Sequence, residues 1–100
     1  MATTKEYKEY ILEVLSTADG VTVRPMMGEY LLYSNGVLFG GIYDNRLLIK
    51  MTKTNEKYGM AQEIPYDGAK PMYFAEDTDD VEKLKKIIAD TCAGLPKKRK

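Results

Sequence analysis

Five groupings in this 100-residue chain have the residue types for chemistry, and their spacing decides how far each can go. The stretch Glu76–Asp80 places four carboxylates in five positions, which could hold a hard cation. The oxygen-ligand spacing of a calcium loop is absent, however, and acids just ahead of an apolar helical pattern predict capping. Gly40-Gly41 resembles a phosphate-binding pair, but it lies inside a strand pattern with no helix after it. That position predicts close packing of a ring or helix against the sheet. Cys92 falls on an apolar stripe and reads as a small buried hydrophobe rather than a nucleophile. Met26-Met27, Met51, Met60 and Met72 read as core fillers, because a soft-metal site wants closer pairs or thiols. The basic end, Lys97-Lys98-Arg99-Lys100, has two readings. It can neutralise phosphates with salt-dependent, sequence-blind affinity, or serve as a solvated tail without base readout.

Composition then removes whole reaction classes. The chain has no histidine and one cysteine, so Ser-His, Cys-His and histidine acid–base schemes are unavailable. A tetrahedral zinc site and an intrachain disulfide go with them. Carboxylate and lysine chemistry stay open. Fifteen basic and fifteen acidic residues cancel, so no global field draws the protein to nucleic acid. At 44% hydrophobic and 30% charged, the chain is expected to fold as one domain over residues 1–95, with 96–100 as a basic tail. No apolar run reaches the roughly 18 residues of a membrane span. The charged start lacks the apolar stretch of a signal peptide, so the expectation is a cytoplasmic protein without cofactor or metal. These exclusions favour a binding or regulatory module over an enzyme.

The elements that must position these residues follow from periodicity. Tyr7, Tyr10, Ile11, Val14, Leu15 and Ala18 predict a helix over 4–18, with Thr3 and Glu6 at capping-box spacing. Strands are predicted at 21–24, 29–34, 37–43 and 46–51, with Pro25 ending the first or marking it as an edge. Asn35-Gly36 is a strong two-residue hairpin signal and Asp44-Asn45 a weaker one. Residues 54–60 predict a helical turn and 71–75 a last strand. Thr78 is the expected cap of a closing helix whose stripe is Val81, Leu84, Ile87, Ile88, Cys92 and Leu95, ended by Gly94 and Pro96. The result is an α+β fold, an antiparallel sheet with both helices packed on one face.

Two-residue turns with unbroken pairing assign every strand residue to a face. One face collects Leu31, Tyr33, Leu38, Gly40, Ile42, Leu47, Ile49 and Met51, and is the expected helix-covered side. The other collects Tyr30, Leu32, Ser34, Val37, Phe39, Gly41, Tyr43, Arg46, Leu48 and Lys50, with Tyr30 opposite Gly41. That second face is too apolar for open water. Either residues 53–75 fold back over it, or it is a partner or homodimer surface carried by Tyr30, Leu32, Phe39, Tyr43, Arg46, Leu48 and Lys50.

The string Arg24-Pro25-Met26-Met27-Gly28, the hairpin Tyr33–Gly40 and the run Leu48-Ile49-Lys50 resemble, in order, the signature of the TfoX N-terminal domain family. The resemblance spans most of the chain and implies a two-layer, secretion-chaperone-like α+β fold. It also implies a link to regulators of competence, in which this domain precedes a second one, and it offers no catalytic residues. Met27 stands where the family usually has Phe, a Tyr-x-x-Pro near the last strand is absent, and no second domain follows within these 100 residues. The matching positions are Arg24, Gly28, Gly36, Gly40 and Lys50. Gly36 fits a positive-φ turn and Gly28 a tight bend, whereas Arg24 and Lys50 fit either ion pairs or partner contacts. The expected function is a regulatory or adaptor domain acting through protein–protein contact. The alternative is a weak nucleic-acid-associated regulator using Lys97, Lys98, Arg99 and Lys100.

Overall fold

The computed structural model describes residues 3–18 and 20–95. Helix α1 spans Lys5–Val14. Strands β1 (Val21–Met26), β2 (Glu29–Ser34), β3 (Val37–Ile42) and β4 (Leu47–Ile49) follow as a meander. A 3₁₀ turn at Glu56–Tyr58 leads to β5 (Ala61–Glu63) and β6 (Met72–Phe74), and α2 (Val81–Ala93) closes the described chain. All pairings are antiparallel in the order β1-β2-β3-β4-β6-β5, so β6 inserts beside β4 and leaves β5 on the edge. Pro25 sits within β1, at the opposite edge, where its missing N–H removes no ladder bond from a central strand.

Three hairpins use two-residue turns with positive φ at both central positions: Met27-Gly28 (51° and 87°), Asn35-Gly36 (51° and 83°) and Asp44-Asn45 (52° and 57°). This is type I′ geometry, whose twist matches that of the flanking strands. Both expected turns are therefore present, and the bend at Gly28 is a third. The pairing between them is broken. Tyr33 faces Leu38, but Leu32 faces Gly40, so Phe39 is an extra residue that bulges from β3. Beyond the bulge Leu31 pairs with Gly41 and Tyr30 with Ile42, one place off the unbroken register.

The bulge corrects the face assignment. Leu32 and Phe39, expected on the mixed face, are fully buried beneath the helices with Ile42, Leu47, Ile49 and Tyr73. Ile11 and Leu15 of α1, and Leu84, Ile87 and Ile88 of α2, close this core from one side of the sheet. Tyr30 packs against the same core and carries the Lys8 ammonium 5.4 Å above its ring. Leu31 and Leu38 are displaced to the opposite side, and Met51, beyond the end of β4, joins them there and is 38% exposed. The gain is physical. The extra residue turns the large Phe39 ring inward, where full burial stabilises by about 3 kcal/mol.

The caps also shift by a residue or two. Thr4, not Thr3, accepts the Tyr7 amide at 3.1 Å. Thr3 is buried and spends its hydroxyl on Glu29 Oε1 at 2.6 Å. Asp80, not Thr78, caps α2 through the Lys83 amide at 3.1 Å, while Thr78 pairs with the Tyr10 hydroxyl at 2.7 Å. Cys92 packs half-buried against the core, as its place on the stripe predicts.

The segment after β4 is clipped to α2 by polar contacts. Asn55 is fully buried and its amide donates to Lys50 O and to Thr91 Oγ1, both at 2.8 Å. Its Oδ1 accepts the Thr52 amide at 3.0 Å, so each polar atom is satisfied. Nearby, the Tyr58 hydroxyl donates to Asp90 Oδ2 at 2.6 Å and Lys57 Nζ lies 3.2 Å from the same oxygen. These two contacts, the Tyr58 bond first, hold the Asp90 carboxyl below its ordinary 3.8. A depressed carboxylate contributes stability that is present above the unfolded value and lost as pH falls through the folded one. Asp90→Asn is therefore expected to lower the urea midpoint at pH 7 and to flatten its decline below about pH 4. An unchanged acid limb would show that Asp90 is not linked to folding.

Candidate interaction groove

The side of the sheet away from the helices carries a groove of about 590 Å³. Leu31 and Leu38 supply it from β2 and β3, and Tyr43 joins them from the β3–β4 turn. Pro65, Tyr66 and Ala69 form the facing wall, with Pro71 and Met72 continuing it into β6. Met51 and Leu95 line it at the point where the chain leaves α2. The fold-back expectation holds in part: the segment after β5 folds over the sheet, and apolar surface stays open beside it. Leu48 lies under this cover, fully buried.

Arg46 fixes the wall. Its guanidinium reaches Glu63 Oε1 at 3.1 Å and the carbonyl of Ile64 at 3.2 Å, while Nε donates to Tyr43 O at 3.2 Å. A planar fork with several donors can tie a turn to a returning loop in this way. The residue expected at a partner surface thus acts as an internal clamp. Tyr43 is 6% exposed, and its ring covers Gly41, where an added Cβ would lie 2.7 Å from Tyr43 Cε2. The ring-over-glycine packing is present, but Tyr43 provides it instead of Tyr30. The Tyr66 ring stands 6.1 Å from Tyr43 at 52° and is 58% exposed. Burial, with the nearby Tyr66 and Glu29, raises the Tyr43 hydroxyl above its ordinary 10.0.

Of the seven residues expected to form one partner surface, the structure keeps only Tyr43, Arg46, Leu48 and Lys50 on this side. Of these, Tyr43 and Lys50 line the groove. Tyr30, Leu32 and Phe39 belong to the helix side. Arg24 is exposed on the edge strand, and Gly28 and Gly36 serve the turns. Lys97, Lys98, Arg99 and Lys100 lie outside the described residues. Sequence reasoning missed Leu31, Leu38, Met51 and Met72 as groove residues. The available signal was Gly40-Gly41, since glycine inside a strand marks a bulge as well as a close approach.

The groove's electrostatics are one-sided. Among the described residues Lys50 and Lys70 line it, no carboxylate does, and neither lysine has an ion pair. The described lining has no histidine, thiol or carboxylate to act as nucleophile, base or metal ligand. Among the described residues no cluster of His, Cys, Asp and Glu could hold a metal ion, and no helix is long and apolar enough to cross a membrane.

The TfoX N-terminal domain profile matches residues 13–93, from the end of α1 to the end of α2. A Spirochaeta aurantia protein described as an uncharacterised 12.7 kDa protein in the trpE 5′ region is 33% identical over 99 residues, covering 96% of this chain and 86% of the relative. The matched span contains all three hairpins, the bulge and the groove strands. With the fold and both matches in agreement over nearly its whole length, this chain belongs to the TfoX N-terminal domain family.

Proposed function

We propose that the protein is a regulatory adaptor that works by protein–protein contact, with the outer-face groove as its docking surface. The observation that carries this reading is the open apolar groove opposite the helices, which leaves Met51 and Tyr66 exposed beside Leu31 and Leu38. An apolar patch of this kind on a small domain marks an interaction site. Membership of a family linked to competence regulation supports the regulatory part, and the lack of a histidine, thiol or carboxylate among the described groove residues supports binding over catalysis.

The test compares affinity capture from the native cell by the intact chain and by a Met51→Asp, Tyr66→Asp variant. Both positions are exposed, so the variant is expected to keep its circular dichroism spectrum and thermal midpoint within a few degrees. Specific partners should fall at least tenfold in recovery with the variant. Equal recovery by both proteins would place the contact surface elsewhere. Sedimentation of the intact chain over a concentration series reports whether the partner is a second copy.

A further inference from the structure

We infer that the groove takes an acidic segment of a partner protein, one that seats apolar side chains in the groove and carboxylates against the lysines. This rests on the protein-contact reading above and names the partner's chemistry. Among the described residues Lys50 and Lys70 are the groove's only charged lining, and neither has an ion pair there. The backbone of Lys50 is fixed: its carbonyl accepts the buried Asn55 amide, and its N–H donates to Phe39 O at 2.8 Å. One cation thus stands on a rigid base, as a selective contact requires.

Two cations thus face one apolar groove in a chain whose net charge is zero. Charge of this kind speeds encounter and rejects like-charged partners more than it adds affinity. Affinity falls to the apolar lining, where Met51 and Met72 have the flexible, polarizable side chains that adapt to varied anchors.

A nucleic acid would also answer the charge, but the lining favours a peptide. Single-strand binding uses aromatic faces as stacking platforms. Here the Tyr43 ring is packed on Gly41 and almost wholly buried, leaving Tyr66 as the one open ring among otherwise aliphatic walls.

The experiment selects a random twelve-residue peptide display library on the full chain and, in parallel, on a Lys50→Glu, Lys70→Glu variant with matched thermal midpoint. Synthetic copies of the winning peptides and a twelve-nucleotide single-stranded DNA are then titrated against both proteins. The expected result is peptides that combine apolar anchors with net negative charge, weaken roughly tenfold or more on the charge-reversed variant, and lose affinity as salt rises. Amide shifts should then concentrate at Leu38, Met51 and Met72. Neutral or basic winners that map to the groove would overturn the acidic partner and leave the protein-contact reading standing. Winners that map elsewhere, an absence of winners, or tighter binding of the DNA would overturn both.

Discussion

Phe39→Ala is expected to lower the unfolding free energy by about 3–5 kcal/mol, the range for removing a fully buried phenyl ring. The ring is wholly enclosed by side chains from β2, β4 and both helices, so the space left behind has few ways to collapse. Leu38, its neighbour, lines the open groove and is partly exposed. Leu38→Ala should cost about 1 kcal/mol or less, because most of the lost contact is with solvent-accessible walls. The two substitutions measured together by urea denaturation decide the register. An unbroken hairpin would put Leu38 in the core and Phe39 on the outer face, and the order of the two losses would reverse.

Gly40→Ala is expected to cost about 3 kcal/mol, at the upper end for overpacking. A Cβ at this position would stand 2.2 Å from Leu48 O and 3.1 Å from Ile49 Cα, both backbone atoms of the adjacent strand. Backbone held in a central ladder cannot step aside as a flexible side chain can. Gly36 provides the comparison. It has φ of +83° but nothing within 4 Å of an added Cβ, so Gly36→Ala should cost only the left-handed penalty of about 1 kcal/mol. If the two variants have equal midpoints, the close approach of β3 to β4 at Gly40 is not holding the bulge.

Much of the fold was legible because its signals are local. The apolar stripes of α1 and α2, the two predicted turn dipeptides and the edge position of Pro25 each depend on a few neighbouring residues. Asn35-Gly36 and Asp44-Asn45 specify their turns by backbone sterics alone. The caps were misplaced for a related reason. Thr3 and Thr78 have the right chemistry, but Glu29 and Tyr10, distant in sequence, claim their hydroxyls. Nothing within the helix records that competition.

The candidate site was legible in kind and not in membership. Composition alone determined that the chain lacks histidine and disulfide chemistry, and alternation determined that a second sheet face would be too apolar to stand in water. Which residues form that face depended on one extra residue at Phe39. The bulge re-faces β2 together with Leu38 and Phe39 while Ile42, Leu47 and Ile49 keep their side, and it is chosen by the total packing of helices, rings and glycines rather than by the hairpin. Arg46 changed role through contacts equally remote in sequence, since its partners Glu63, at the end of β5, and Ile64, just after it, lie 17 and 18 residues away. The groove itself exists only where β2, β3, the loop before β6 and the end of α2 meet. The sequence determined the helices, the turns and the absence of histidine and disulfide chemistry. Tertiary packing, through the bulge and the returning loop, decided which residues form the groove and left its two lysines without an ion pair among the described residues.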